Sequence, residues 1–141
     1  MRLSFVIDVP TSRVGIGASA FERHRFYPLK EGLEYLTRIN EWHLSHRRFP
    51  PLYRSGVVYH TEPFGDEDWC DIPTCLERGW GDCEDLGCWR VAELRHSGIR
   101  AMPDYKYRQI GGVTVIHILA KWPDGRVEDP SKILGMKGEY Q

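Results

Sequence analysis

One short stretch constrains the fold of this chain more than any other: residues 79–89 read Gly-Trp-Gly-Asp-Cys-Glu-Asp-Leu-Gly-Cys-Trp. Two glycines interrupt regular structure, and a pattern of apolar residues at helical spacing begins directly after them. Asp82 is a suitable N-cap, and Asp85 stands three residues later, where a capping box has its acidic side chain. We therefore predict a helix over residues 83–97, with Cys83 in its first turn.

The placement of Cys83 at a helix start is typical of a nucleophilic cysteine. The unpaired N–H groups and the dipole of a helix start lower the pKa of a thiol. Three acidic neighbours, Asp82, Glu84 and Asp85, act in the opposite direction. A reactive thiol at this position therefore requires a nearby histidinium. The alternative is a buried structural thiol, since cysteine is among the most buried residue types.

A histidine and an aspartate follow in the order that such chemistry needs. His117 lies within the apolar run 113–122, which predicts a strand. A Pro-Asp-Gly turn follows, and residues 126–129 are predicted to return as an antiparallel neighbour that brings Asp129 close to His117. Cys83, His117 and Asp129 then form a candidate nucleophile, base and orienting group. A core histidine with a satisfied hydrogen bond is the alternative.

Four segments carry a family resemblance: Gly81-Asp82-Cys83-Glu84-Asp85, Leu94-Arg95-His96-Ser97-Gly98-Ile99, Val115-Ile116-His117-Ile118 and Glu128-Asp129-Pro130. Together they resemble the active-site signature of the bacterial transglutaminase-like cysteine proteinases and of the wider transglutaminase-like, papain-like superfamily. The resemblance implies an α+β fold in which the cysteine helix packs on a small antiparallel sheet bearing the histidine and the aspartate. It extends over about residues 79–131, and Leu86 departs from it where many members have an aromatic residue.

The resemblance also implies an activity. Members cleave, transfer or form amide bonds through an acyl-thioester, so the first expectation is a cysteine peptidase or amidase acting on a protein or peptide. An amide-transferring transglutaminase is a second expectation. The third is a non-catalytic assembly module with a protein partner, because short stand-alone proteins resembling this one occur among tailed-phage structural genes.

The family implies no required cofactor, but some bacterial members bind calcium through acids near the cysteine. The matching positions here are Asp82, Glu84 and Asp85. Upstream, Trp69 and Trp80 are candidate walls of the substrate groove. The Cys83 N–H is a candidate oxyanion donor, and Trp80 and upstream polar residues are candidates for a second one.

Length and charge exclude several other classes. The 141 residues suit a single domain over residues 1–141, and the net charge of −1 gives no electrostatic case for nucleic acid or an anionic membrane. No apolar run approaches the length of a membrane span. The first eight residues contain too short an apolar run for a secretory signal, so we expect synthesis in the cytoplasm and, for an assembly module, a place in a virion.

The four cysteines, Cys70, Cys75, Cys83 and Cys88, leave two alternatives to catalysis. Disulfides are disfavoured in a reducing compartment. Zinc is disfavoured because the spacing does not form two short knuckles, and because Cys83 and Cys88 would point about 140° apart around one helix. We expect Cys88 to pack in the core.

The remaining patterns predict strands at residues 2–9, 56–60 and 100–109, a loop at 11–20, a solvated acidic loop at 61–71 and a helical turn at 72–78. Residues 29–48 predict the longest helix. Its apolar face is predicted from Leu33, Leu36, Ile39 and Trp42.

Overall fold

The structure is a computed structural model of the chain, and it describes residues 2–3, 27–63 and 68–138. Helices and strands both contribute, so the mixed α+β class is confirmed. In chain order the elements are β1 (Arg2–Leu3), α1 (Tyr27–His46), a 3₁₀ turn (Leu52–Arg54), β2 (Val58–Tyr59), β3 (Trp69–Cys70), α2 (Ile72–Arg78), β4 (Trp80–Gly81), α3 (Cys83–His96), β5 (Met102–Ile110), β6 (Val113–Lys121), β7 (Val127–Glu128) and α4 (Pro130–Ile133).

The predicted hairpins form the main sheet, which is antiparallel and has the order β5-β6-β7. Glycines at 111 and 112 both have positive φ and make the first turn, where other residues would be strained. In the second hairpin Ala120 pairs with Glu128, so Asp129 follows directly after the last paired residue. Two smaller pairs accompany this sheet, with β1 antiparallel to β3 and β2 parallel to β4.

The helix predicted over 83–97 is confirmed as α3. Asp82 is its N-cap, and the side chains of Asp82 and Asp85 form both halves of the capping box. The helix ends at Ser97, and Gly98 follows with a φ of 87° that favours glycine. Local signals alone therefore place Cys83 at the first helical position.

Helix α3 packs against the sheet at strand β6 and against α1. A Cβ atom added at Gly87 would lie 2.9 Å from Cγ2 of Ile118, so the glycine allows the helix to approach the strand closely. On the other side, the Cys88 thiol donates to the carbonyl oxygen of Leu33 at 3.4 Å, which confirms Cys88 as a core residue. The nucleophile candidate is thus carried by the best-packed helix of the fold.

The predicted apolar face of α1 is partly wrong. Leu33 and Leu36 are buried, but Trp42 is 58% exposed, while Thr37 and Asn40 are buried instead. The buried stripe holds polar residues: Thr37 donates to Leu33, and Asn40 Oδ1 accepts from the backbone of α2, while Nδ2 of Asn40 has no hydrogen-bond partner among the described residues. A prediction based on the spacing of apolar residues cannot identify a buried helix face that includes polar side chains.

The acidic loop also differs from its prediction as a solvated segment. Glu62 is buried, and its carboxylate accepts from Arg78 and from the backbone N–H of Asp68. Of the strand predicted at residues 2–9 only Arg2–Leu3 are described, and the loop predicted at 11–20 lies outside the described residues. Within the described ranges, no helix has the length and apolar character needed to cross a bilayer.

Candidate active site

Cys83 is positioned by a tight connection between α2 and α3. Gly79 ends α2 with a φ of 81°, a left-handed conformation that favours glycine. At Gly81 the requirement is space, because an added Cβ atom would lie 2.9 Å from Cδ2 of Leu86. These two glycines bring the chain into α3 directly after β4 and place Cys83 against the sheet.

The Cys83 thiol is buried, with 8% of the residue exposed, and it has polar neighbours. It donates to Oε2 of Glu84 at 3.4 Å, and the backbone N–H of Ile118 approaches the sulfur closely enough to favour the thiolate. Burial nevertheless raises the pKa of Cys83 well above its usual range, and the charges of Glu84 and Asp82 raise it further. The thiol of this structure is therefore protonated at neutral pH.

His117 and Asp129 form the predicted pair. Nε2 of His117 lies 2.9 Å from Oδ2 of Asp129. The second carboxylate oxygen of Asp129 accepts from the backbone N–H of Lys132 at 3.1 Å and so caps α4. Because Asp129 engages Nε2, Nδ1 is the imidazole nitrogen that can receive a proton from a thiol.

Cys83 and His117 line one cavity of about 420 Å³. Trp69 also lines it, whereas Trp80 does not: the Trp80 ring lies 3.6 Å below the Arg78 guanidinium instead. The full lining consists of Leu29, Tyr59, Thr61, Glu62, Pro63, Trp69, Asp82, Cys83, Glu84 and residues 113–118. A cavity that combines apolar side chains with polar groups is the usual form of a small binding site.

The three acids predicted to bind calcium do not converge on one point. Asp82 and Glu84 group with the Cys83 sulfur, while Asp85 groups with Glu62 and Cys70. Both Asp82 oxygens already accept from backbone N–H groups, those of Glu62 and Cys83. Calcium takes six to eight oxygen ligands, so this donor set does not fit it, and calcium dependence stays a prediction.

All four cysteines are free thiols, and all four are buried. Within the described ranges, no group of potential metal ligands contains two cysteines. That neither a disulfide nor a zinc site explains these residues stays a prediction.

The buried arginine network beside Cys83 was not visible in the sequence. Arg78 contacts the carboxylates of Glu62 and Asp85 and donates to the carbonyl oxygen of Trp80. Asp85 also accepts from the backbone N–H groups of Cys70 and Asp82. The network therefore fixes the strand and the turn that lead into α3.

Two features of the oxyanion region also differ from the sequence expectation. The Cys83 N–H donates to Oδ1 of Asp82 at 2.6 Å, so the capping interaction already occupies the expected oxyanion donor. Tyr59, which the sequence did not single out, lies in the cavity because β2 pairs in parallel with β4 and sets Tyr59 beside Gly81. The two closely spaced glycines before Cys83, Gly79 and Gly81, are the one sequence signal for a close approach of another strand, which is β2.

No protein-family model, curated protein or solved structure matches this chain. The site must therefore be judged on its own geometry: a thiol at a helix start, an imidazole on an adjacent strand and a carboxylate on that imidazole. Such a set can transfer an acyl group to and from sulfur.

Proposed function

We propose that this protein is a cysteine peptidase or amidase of transglutaminase-like type, with Cys83 as nucleophile, His117 as base and Asp129 as orienting group. The observation that carries the proposal is the shared cavity: Cys83 and His117 both line it, and Asp129 lies 2.9 Å from the far nitrogen of His117. A core histidine also needs a hydrogen-bond partner, so the placement of the Cys83 thiol beside the same cavity is what favours the catalytic interpretation.

The proposed reaction proceeds through an acyl-thioester. Sulfur bonds to the substrate carbonyl carbon, the thiol proton passes to Nδ1 of His117, and the carbonyl oxygen takes up the electron pair. The oxyanion then re-forms the carbonyl, the carbon–nitrogen bond breaks and the amine leaves with the proton from His117. Water attacks the thioester, gives a proton to His117 and releases the acid, and the proton returns to sulfur.

The raised pKa of Cys83 bears on the step at which the thiol loses its proton. Burial and the charges of Glu84 and Asp82 keep the resting thiol neutral, so the proton moves to His117 during attack. Asp129 supports this step because it stabilises the imidazolium that forms. The thiol is thus neutral at rest.

An acylation experiment tests the proposal. p-Nitrophenyl acetate should give a burst of p-nitrophenol and leave an acetyl group on Cys83, located by peptide mass spectrometry. Cys83→Ala should abolish the burst without changing the urea unfolding midpoint. Cys88→Ala is the matched control, since Cys88 lies on the same helix but outside the cavity, and it should keep the burst. A full burst from Cys83→Ala would contradict the proposal.

The same acyl-enzyme distinguishes hydrolysis from transfer. Hydroxylamine or a primary amine can be offered in place of water as the acceptor. If it removes the acetyl group from Cys83 faster than water does, and both acceptors reach the thioester equally well, the transglutaminase alternative is favoured. Adding calcium or a chelator to this assay tests the calcium prediction separately. We expect water as acceptor, because the closest motif resemblance is to proteinases.

A non-catalytic assembly module is the second candidate, and one observation favours it: the Cys83 thiol is buried and its pKa is raised rather than lowered. A protein kept for assembly has no need of an accessible thiolate. The absence of both acylation and iodoacetamide alkylation at Cys83 would favour this candidate, including a place in a virion.

A further inference from the structure

The proposed reaction needs hydrogen-bond donors for the oxyanion, and the groups around Cys83 limit which donors can serve. A tetrahedral intermediate on Cys83 needs hydrogen-bond donors near the sulfur. The Cys83 N–H is engaged by Asp82. The Ile118 N–H approaches the sulfur, so one backbone donor is available from strand β6. A second donor must come from a side chain of the cavity.

Neutral side-chain donors that line the cavity are few among the described residues. They are the hydroxyl groups of Tyr59, Thr61 and Thr114 and the indole N–H of Trp69. Trp69 lies on β3, whereas Tyr59 pairs directly with the residue two before Cys83. Thr114 is the second residue of β6, at the end of the strand that is distant from Ile118. Its hydroxyl accepts a hydrogen bond from the side-chain amide of Gln109 at 2.8 Å. At about 3.3 Å per strand residue Thr114 lies roughly 13 Å along the strand from Ile118. Thr61 is paired with Tyr59, at 2.9 Å between the two hydroxyl oxygens.

Tyr59 stands next to the nucleophile. It pairs with Gly81, two residues before Cys83, and it packs against the buried cluster that contains Cys83 and Trp69. Burial raises the pKa of Tyr59, and the nearby charges of Asp82, Cys83 and Glu84 raise it further. The resulting pKa is about 12. The phenol therefore keeps its proton, and remains a donor, throughout the range in which a peptidase works.

We infer, on the basis of the proposed function, that the Tyr59 hydroxyl donates a hydrogen bond to the oxyanion of the acyl-transfer intermediate, with Thr61 fixing the position of that hydroxyl. Tyr59 is then a further catalytic residue. The charge that develops on the former carbonyl oxygen is shared between a phenolic O–H and the Ile118 N–H. The capped helix start carries no part of it.

Two reactions of the same sulfur test this inference. Acylation by p-nitrophenyl acetate passes through an oxyanion, whereas alkylation by iodoacetamide displaces iodide from carbon and forms none. Tyr59→Phe should lower kcat for the ester on the order of 100-fold with little change in KM, while leaving the alkylation rate within about twofold of wild type. Tyr105→Phe is the matched control: Tyr105 packs on the same cluster but does not line the cavity, and both rates should be unchanged.

The outcomes separate the two proposals. If wild type acylates at Cys83 and Tyr59→Phe acylates equally fast, the inference is overturned and the proposed function stands. If Tyr59→Phe lowers alkylation as much as acylation, Tyr59 acts on the thiol or on packing, and the inference is again overturned. If wild type does not acylate at Cys83, both fail. Should Tyr59→Phe not fold, Thr61→Val offers the same test and should show a smaller loss of kcat with unchanged alkylation.

Discussion

Two arginine–carboxylate networks support the candidate site from opposite sides, and they differ in burial. On the cysteine side Arg78 contacts Glu62 and Asp85, and the Asp85 side chain is fully buried. On the aspartate side Arg90 donates twice to Glu128, the residue before Asp129, and the Glu128 side chain is 22% exposed. The first network anchors the approach to Cys83, and the second anchors the approach to Asp129.

The difference in burial changes the chemistry of the two carboxylates. Burial raises the pKa of Asp85 to about 7, outweighing the attraction of Arg78 and the backbone donors. The pKa of Glu128 is instead lowered, because Arg90, Tyr53 and Trp122 donate to it and outweigh its partial burial. The carboxylate that supports Cys83 therefore titrates near neutral pH, whereas the carboxylate that supports the approach to Asp129 stays charged.

The largest expected effect comes from removing Asp85. Asp85→Ala leaves Arg78 with Glu62 alone and two buried backbone N–H groups without their acceptor. Above pH 7, where Asp85 is charged, breaking a buried pair in this way costs about 3–5 kcal/mol of unfolding free energy, measurable by urea denaturation. Asp124→Ala, which removes an exposed carboxylate paired with Arg126, is the control and should shift the midpoint much less. If the two variants had equal urea midpoints, the buried Asp85 pair would contribute no more to stability than the exposed Asp124 pair.

A smaller effect concerns pH. Folded Asp85 holds its proton up to about pH 7, whereas an unfolded aspartate loses it near 3.8. The folded chain therefore binds more protons between these values, and the contribution of Asp85 to stability falls as pH rises through this window. Between pH 5 and pH 7 the loss is about 2–3 kcal/mol at about 1.4 kcal/mol per pH unit. Urea midpoints of wild type and Asp85→Asn should show this slope in wild type only; parallel slopes would contradict it.

The smallest effect on stability is expected at Glu128. Glu128→Gln keeps one acceptor for Tyr53, Trp122 and Arg90 but removes the charge, at a cost of about 1–3 kcal/mol. Because Glu128 is the residue before Asp129 and is held by Arg90, the acylation rate should fall while the alkylation rate of Cys83 is kept. An unchanged acylation rate in a destabilised Glu128→Gln would show that this network has no positioning role.

The parts of the fold that depend on neighbouring residues were predictable from the sequence. The capping box and glycine stop placed α3 to within one residue, and the turn glycines placed the hairpin that carries His117. The contact between His117 and Asp129 follows from that hairpin. The activity of the triad stays a prediction, since position alone does not establish it.

Features that depend on distant contacts were not predictable. The strand predicted at 56–60 contains β2, but its parallel pairing with the two-residue strand β4 had no signal in the sequence, so Tyr59 was missed as a residue of the site. Glu62 was assigned to a solvated loop because a sequence gives no sign that Arg78 will bury it. Trp42 was assigned to the core because it is apolar, although Asn40 takes that place through a hydrogen bond to the α2 backbone.

Helix α3 carries three contacts of the site at positions one and two turns apart. Cys83 faces the cavity, Gly87 meets the strand residue after His117, and Arg90 holds the residue before Asp129. Residues spaced by four and then three lie on one side of a helix. One helix therefore carries Cys83 and contacts the elements that carry His117 and Asp129. Local opening of the middle of α3 would break these contacts together, so its backbone amides there should exchange with deuterium more slowly than those of the short helix α4.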